Sequence, residues 1–138
     1  MAAKVIGYIY LDEDDVREIH QEQLAHFGGQ PGVRNQEGLA SAVSQPQATF
    51  GGEDLYPDAF TKAAILAYCI AENQVFIDGN KRTGLVTALT FLSVNGHEIP
   101  SAEDRLYDAM IAIAKKEMSK DELAELFRTL AGEFKSKE

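Results

Sequence analysis

A short run of polar and charged residues in the middle of the chain has the composition of an anion-binding loop. Residues 76–84 read Phe-Ile-Asp-Gly-Asn-Lys-Arg-Thr-Gly and separate two apolar segments with helical patterns. Lys81 and Arg82 fall at the start of the second helix, where the helix dipole is already positive and backbone N–H groups are unpaired. Because two cations there disfavour the helix on their own, their presence indicates that an anion binds.

The chemistry that suits this loop is the binding of a phosphate chain. The backbone N–H groups of Gly79 to Arg82, the Asn80 amide and the cations of Lys81 and Arg82 are expected to converge on one concavity. Asp78 would repel a polyphosphate unless a cation lay between them, and magnesium is usually held by one or two carboxylates together with substrate phosphates. The loop therefore predicts a nucleotide-phosphate site with Asp78 as a metal ligand.

Two other interpretations of the same residues remain open. The Asp-Gly pair at residues 78–79 is also typical of a two-residue β-hairpin turn. Asp78 is also a suitable N-cap for the following helix, with Lys81 and Arg82 extending to solvent. The chain lacks the pattern GxxxxGK[ST], so a P-loop is excluded.

Helices must position this loop. Apolar residues recur at helical spacing in six segments, residues 12–27, 36–44, 58–73, 83–94, 101–116 and 119–134. Residues 83–94 are apolar on nearly every side, which predicts a central, surrounded helix. The predicted fold is all-α, a bundle of about six helices around this one, with a short extended segment over residues 5–11.

Upstream of the loop, residues 50–57 combine flexible glycines with large apolar groups. We name this segment the flap; its expected functional residues are Gly51, Gly52, Glu53, Asp54 and Leu55. The composition suits a surface segment that lies over a site, and an ordinary connector fits equally well.

Composition limits the classes of function. The 138 residues suit a single domain over residues 1–138, with a polar tail at 135–138 that is expected to be disordered. A net charge of −9 argues against direct DNA binding. Cys69 is the single cysteine and is expected to be a buried thiol, and no run of 18 apolar residues occurs. These features predict a cytoplasmic protein without a membrane segment.

Residues 74–83, Gln-Val-Phe-Ile-Asp-Gly-Asn-Lys-Arg-Thr, resemble the signature of the Fic/Doc superfamily, His-x-Phe-x-[Asp/Glu]-[Gly/Ala]-Asn-[Gly/Lys]-Arg. We name residues 74–82 the motif loop. Residues 51–57 and 87–96 also resemble death-on-curing proteins, so the similarity covers about residues 28–96. It implies the Fic/Doc type of all-α bundle.

The resemblance implies a role for each residue of the motif loop. Phe76 would be its buried anchor, Asp78 the magnesium ligand, Gly79 the point of close backbone approach, and Asn80 and Arg82 the phosphate-binding residues. The implied cofactors are ATP and Mg²⁺.

Lys81 bears on the reaction that the resemblance implies. Adenylyl-transferring Fic proteins usually have Gly at this position, whereas death-on-curing kinases have Lys. The resemblance thus favours transfer of a phosphoryl group over transfer of a nucleotidyl group. The family's protein substrate is a translation elongation factor, phosphorylated on a hydroxyl, and its inhibitory partner is an antitoxin helix.

Gln74 departs from the family pattern, which has His as the general base. Imidazole suits that task because its pKa lies near neutrality, and a carboxamide cannot accept the proton. We expect nucleotide binding to survive and transfer to fall by about 10²–10⁴-fold. Three explanations fit the presence of Gln at this position: an introduced substitution, a natural loss of catalysis, or a Gln-tolerant chemistry. His20, His26 and His97 do not match the motif position and are interpreted as structural.

Four functions follow from these observations. The first is a toxin of the death-on-curing type, an ATP-dependent protein-hydroxyl kinase attenuated by Gln74. The second is a catalytically silent module that binds nucleotide or an antitoxin. The third is a Fic-type adenylyltransferase. The fourth, a purely structural helical domain, leaves Lys81 and Arg82 without a role.

Overall fold

The computed structural model describes residues 7–100 and 103–136, and within them the fold is a helical bundle. Along the chain the elements are α1 (Glu13–Phe27), α2 (Gln36–Ser44), a 3₁₀ helix (Gln45–Gln47), β1 (Thr49–Phe50), β2 (Glu53–Asp54), α3 (Ala59–Glu72), α4 (Asn80–Val94), α5 (Glu103–Ala114) and α6 (Lys120–Ser136). These six helices of the described residues confirm the prediction of an all-α fold. The two short strands pair antiparallel, with Phe50 opposite Glu53.

Helices α3 and α4 share the interior of the bundle, and for α4 this is the position that its all-round apolar pattern predicts. Helix α3 packs against α2, α4, α5 and α6. Helix α4 packs against α1, α3 and α5, and most closely against α3. Gly84 makes the contact with α3 possible, because a Cβ atom there would lie 2.9 Å from the carbonyl oxygen of Ala67. The α4 residues buried in the core are Thr83, Gly84, Leu85, Thr87, Ala88, Phe91 and Leu92.

Three helices begin with reciprocal side-chain caps. The pairs are Asp12 with Asp15 for α1, Asp58 with Thr61 for α3, and Ser119 with Glu122 for α6. The last of these follows the capping-box pattern of the sequence, Ser119 with Glu three residues later. Such caps satisfy backbone N–H groups that have no partner within the helix. The start of α4 lacks a side-chain cap, which sets it apart from these three.

Some predicted boundaries were wrong. Helix α4 begins at Asn80 rather than Thr83, so the cations of the motif loop lie inside its first turn. Helix α6 continues to Ser136, so the first half of the expected disordered tail is helical, and residues 137–138 lie outside the described residues. Of the expected extended segment, residues 5 and 6 lie outside the described residues and residues 7–11 form no strand.

The N-terminal segment is nevertheless tied to the bundle. The backbone N–H of Ile9 donates to Oδ1 of Asn95 at 2.8 Å, and Nδ2 of Asn95 donates to the carbonyl of Ile9 at 2.9 Å.

Cys69 is partly buried, and burial raises the pKa of its thiol to about 11. The thiol is therefore protonated at neutral pH and a poor nucleophile.

Among the described residues, no helix combines the length with the apolar composition that a membrane-spanning segment requires.

Candidate functional site

The motif loop joins α3 to α4 through two residues with left-handed backbone. Gln74 has φ of 46° and Gly79, the N-cap of α4, has φ of 79°. A Cβ atom on Gly79 would have room, since its nearest neighbour would be the His20 ring at 3.8 Å. The backbone angle rather than crowding therefore favours glycine at this position.

The N-terminus of α4 presents unpaired backbone donors. The N–H of Thr83 donates to the carbonyl of Gly79 at 2.9 Å, which closes the first helical turn. No side chain caps the preceding N–H groups, and the first turn contains no acidic residue within this described segment. Together with Lys81 and Arg82, these donors form a cationic helix end suited to an anion.

Both alternative interpretations of the loop were wrong. Residues 78–79 are not a hairpin turn, because α4 begins directly afterwards at Asn80. Asp78 does not cap α4, since the N-cap is Gly79 and no side chain at that position accepts from the first N–H groups of the helix.

Asp78 is exposed at the edge of the helix end. Its Oδ1 accepts from the N–H of Gly79 at 2.9 Å, and its Oδ2 accepts from the N–H of Gln30 at 3.1 Å. Gly29 permits the approach of the α1–α2 connection, because a Cβ there would lie 2.9 Å from Oδ2. Each carboxylate oxygen accepts one bond in this arrangement, which leaves capacity for a further ligand.

The donor set fits a metal ion that arrives with a nucleotide. No group of three or more His, Cys, Asp or Glu side chains in the described residues could hold a metal by itself. Magnesium needs only one or two carboxylates when phosphates and water complete its coordination. Asp78 lies next to the unpaired donors of α4 and is suited to supply such a carboxylate.

Asn80 does not face outward as a free phosphate contact. Its Oδ1 accepts from the N–H of Phe76 at 2.8 Å, and its Nδ2 donates to the carbonyl of Phe76 at 2.8 Å. The side-chain amide therefore closes the motif loop on itself. The second N–H of the same NH₂ group has capacity for another partner.

His20 supports the motif loop from α1. Its ring stacks on Phe76 with centroids 3.8 Å apart and planes 7° apart. Its Nε2 lies 2.8 Å from the carbonyl oxygen of Asp78, which requires the N–H tautomer at that nitrogen. Both His20 and Phe76 are buried, so Phe76 is in the position of an anchor. The interpretation of His20 as a structural residue agrees with these contacts, although the sequence does not indicate which segment it supports.

A second support is a short antiparallel pairing with the chain before α2. Val33 and Phe76 form an isolated β-bridge. The N–H of Ile77 donates to the carbonyl of Gly32 at 3.1 Å, and the N–H of Arg34 donates to the carbonyl of Val75 at 2.8 Å. This pairing was not predicted, because two or three residues are too few to show a strand pattern.

Arg82 is held by aromatic rings. Its guanidinium carbon lies 4.0 Å from the centroid of the Phe27 ring and 4.7 Å from that of Tyr107. Neither Arg82 nor Lys81 forms an ion pair with any described residue. Within the part of the chain whose side chains are described, no carboxylate neutralises these charges, which is the state expected of anion-binding cations. Phe27 and Tyr107 were not identified from the sequence.

Gln74 is exposed at the entrance to the motif loop. Nη1 of Arg34 donates to its Oε1 at 3.4 Å, a long hydrogen bond. His26 lies against the Glu22 carbonyl and His97 packs on Phe60, and neither contacts the motif loop within the described residues. His20 is therefore the one histidine of the described residues that contacts the motif loop.

The flap is a small hairpin rather than a structureless loop. Phe50 and Leu55 are 80% and 52% exposed, so both apolar groups face solvent. The buried Lys62 of α3 holds the base of the flap, with Nζ donating to the carbonyl of Pro46 at 2.8 Å and lying 3.4 Å from Oδ2 of Asp54. No hydrogen bond or ion pair between the flap and the motif loop is found in the described residues.

A concavity of about 210 Å³ lies beside the motif loop. It is lined by Gln23, Leu24, Phe27, Gly28, Gly29, Asp78, Gly79 and Arg82. Three of the predicted site residues, Asp78, Gly79 and Arg82, are thus brought to one surface. Gln74, Asn80 and Lys81 do not line it.

Comparison with known proteins agrees with this geometry. The model of the Fic/DOC family matches residues 10–92. The chain is 40% identical over 117 residues to a protein named Toxin Doc from Mycolicibacterium smegmatis, covering 83% of this chain and 88% of that protein. It is 28% identical over 123 residues to a protein named Protein kinase doc from Escherichia phage P1, covering 89% and 96%. The chain therefore belongs to the Fic/Doc family.

Proposed function

We propose that this protein is a Doc-type toxin that transfers a phosphoryl group from ATP to a hydroxyl of a protein. The observation that carries the proposal is the start of α4, which combines unpaired N–H groups with the carboxylate of Asp78 at its edge. It also carries the cations Lys81 and Arg82, which form no ion pair with the described side chains. A helix end of this kind stabilises a bound polyphosphate. The relatives named Toxin Doc and Protein kinase doc support the same assignment.

Each residue of the site has a distinct part in this proposal. The N–H groups of α4 and the guanidinium of Arg82 bind phosphate oxygens. Asp78 holds Mg²⁺, which when bound neutralises phosphate charge during transfer. Asn80 keeps the motif loop in shape through its bonds to Phe76 and has one N–H left for a phosphate.

Lys81 supports phosphoryl transfer over adenylyl transfer. Its long side chain at the second position of α4 occupies space that a glycine would leave open. A nucleotide bound there would have to orient differently, so that its terminal phosphate is the group presented to the substrate. The 28% identity to Protein kinase doc agrees with this choice. The protein substrate we propose is a translation elongation factor, and the inhibitor an antitoxin that supplies a helix.

Gln74 attenuates the reaction in this proposal. Its carboxamide can hydrogen-bond and orient a substrate hydroxyl but cannot remove the proton. The one imidazole that contacts the motif loop within residues 7–100 and 103–136 is His20, whose ring stacks on Phe76. The contact of its Nε2 with a carbonyl oxygen makes that nitrogen a donor and not a base.

The test is to restore the imidazole. Gln74→His should raise ATP-dependent phosphorylation of lysate proteins by at least about 10²-fold, the lower end of a general-base contribution. Expression should become toxic unless an antitoxin is supplied, and ATP affinity should stay within about twofold, because the base acts on the other substrate. Labelling with γ-³²P-ATP and with α-³²P-ATP distinguishes phosphoryl from adenylyl transfer.

Gln74→Asn is the matched control, since it keeps a carboxamide and provides no base. Equal labelling by the Gln74, Asn and His forms would show that position 74 is not a disabled base. Labelling from α-³²P-ATP alone would replace the kinase with an adenylyltransferase.

A silent module is the second candidate, and the absence of a free imidazole at the motif loop in the described residues favours it. In this case the protein would bind nucleotide or an antitoxin without turnover. Binding of ATP by both the Gln74 and His forms, with labelling by neither, would support the silent module over the kinase.

A further inference from the structure

The guanidinium of Arg82 packs against two aromatic rings that belong to two other helices. Phe27 is the last residue of α1, Tyr107 lies on α5, and Arg82 is the third residue of α4. The guanidinium carbon lies 4.0 Å from one ring centroid and 4.7 Å from the other. We propose that Tyr107 and Phe27 are positioning residues that hold the Arg82 guanidinium for phosphate contact, an inference that rests on the proposed function.

The contact type explains why rings are used instead of a carboxylate. A carboxylate beside Arg82 would occupy its N–H groups and cancel its charge. A ring contacts the face of the guanidinium and leaves the five N–H donors at its edge available. Among the side chains that the structure describes, Arg82 has no ion pair that would engage those donors.

The placement of the rings is fixed by the fold. Gly28, with φ of 79°, is the C-cap of α1, so the last helical residue, Phe27, lies at the rim of the concavity that Arg82 also lines. Its side chain is 61% exposed, so the ring meets the guanidinium of Arg82 at the protein surface. Tyr107 lies beyond residues 10–92, the part of the chain that matches the family model. The contact therefore adds a residue of α5 to the site.

The argument predicts that the ring of Tyr107 matters and its hydroxyl does not. Tyr107→Leu should weaken binding of ATP with MgCl₂ by about 3- to 10-fold, the size expected of a partly exposed cation–π contact. Tyr107→Phe should bind within about twofold of the unaltered protein, because the ring is kept. Phe27→Leu should resemble Tyr107→Leu. Isothermal titration calorimetry on the full chain measures the ATP affinity of these three variants and of the unaltered protein.

A double-mutant cycle separates positioning from general stability. In an Arg82→Ala background, Tyr107→Leu should change ATP affinity by less than about twofold, because the group that it positions is gone. Tyr68→Leu is the matched control, since Tyr68 also faces a cation, Lys120 at 5.6 Å, but lines a different groove. It should leave ATP affinity unchanged.

The measurements distinguish failure of the positioning role from failure of the proposed phosphate site. If Arg82→Ala weakens binding while Tyr107→Leu does not, or if the two losses multiply, the positioning role is wrong and the phosphate site stands. If Arg82→Ala itself leaves ATP affinity unchanged, the proposed phosphate site fails and the positioning role fails with it. An ATP-free readout supports the inference independently: the Arg82 Nε–H signal in ¹⁵N relaxation should become more mobile in Tyr107→Leu and not in Tyr107→Phe.

Discussion

Asn80 is the motif-loop residue whose observed contacts differ most from its expected ones. The sequence indicates a phosphate contact, and in the structure the amide bonds both the N–H and the carbonyl of Phe76. Phe76 is 1% exposed, so water does not replace these bonds easily. The type of residue was predictable from the motif, but its internal role depends on the turn geometry, which spacing alone does not define.

Asn80→Ala should therefore destabilise the protein as well as weaken ATP binding. Removal of the amide leaves two backbone groups of Phe76 without partners, which costs about 1–3 kcal/mol of unfolding free energy. Urea denaturation measures the loss. Lys81→Ala is the control, since its side chain makes no hydrogen bond within the described residues, and it should change the unfolding free energy by less than about 0.5 kcal/mol. Equal stability of Asn80→Ala and the unaltered protein would contradict the internal role.

Sequence patterns could not predict the long-range contacts at the site. His20 and Asp78 are 58 residues apart along the chain, and Arg82 meets Tyr107 from another helix. Periodicity places each of these residues on a helix or loop, but the packing of helices against one another decides which of them meet. Phe27 follows the helical pattern of α1 and looks like an ordinary core position until its exposure is known.

At the scale of elements, the helices follow closely from apolar spacing and stop signals. The second helix was predicted with the observed bounds, Gln36–Ser44, because Pro46 limits it. The flap was less predictable, since each strand of its hairpin has only two residues. Its anchoring by Lys62 was not predicted at all, because the residue lies in an apolar helix where a lysine would be expected to reach solvent.

Lys62 connects three parts of the fold. Its side chain is fully buried, and its Nζ lies 5.0 Å from the Tyr8 ring centroid as well as near Pro46 and Asp54. A buried ammonium is stable only when it has such partners. The ammonium group of Lys62, on α3, therefore contacts both the N-terminal segment and the base of the flap.

Lys62→Met should loosen the flap selectively. Methionine fills similar space but cannot donate, so the carbonyl of Pro46 loses its partner, at a cost of about 1–3 kcal/mol. The amide of Leu55, which donates to the carbonyl of Ala48 at 3.0 Å, should exchange with deuterium faster than in the unaltered protein. Lys120→Met is the control and should leave that amide's exchange unchanged. Uniformly faster exchange throughout the bundle would instead mean that Lys62 stabilises the whole fold.

An ion pair joins the start of α3 to α6, two helices that are far apart along the chain. Nη2 of Arg128 donates to Oδ2 of Asp58 at 2.6 Å, and Arg128 also pairs with Glu125. Asp58 caps α3 by accepting from the N–H of Thr61 at 2.8 Å. The C-terminal helix is thus fastened to the helix that precedes the motif loop.

This pair makes stability depend on pH in a defined direction. Burial raises the pKa of Asp58, but hydrogen bonds from the Thr61 N–H and the Arg128 guanidinium outweigh it and hold the pKa below the ordinary value of 3.8. A carboxyl whose pKa is lower in the folded state stabilises the fold above its unfolded pKa. That contribution should therefore be complete above about pH 5 and lost as the pH falls through 3.8 towards the folded value.

Asp58→Asn should reduce this acid sensitivity. Asparagine still caps the helix but carries no charge, so the loss at pH 6 should be small, about 0.2–1 kcal/mol for a partly exposed pair. The unfolding free energy, measured by urea denaturation at pH 6 and pH 3, should then fall less on acidification than in the unaltered protein. Asp14→Asn removes an exposed carboxylate that pairs only within α1 among the described residues, and it should keep the original pH dependence. If Asp58→Asn and Asp14→Asn lose equal stability between pH 6 and pH 3, the pair with Arg128 does not control the acid response, and other carboxylates of this chain of net charge −9 must.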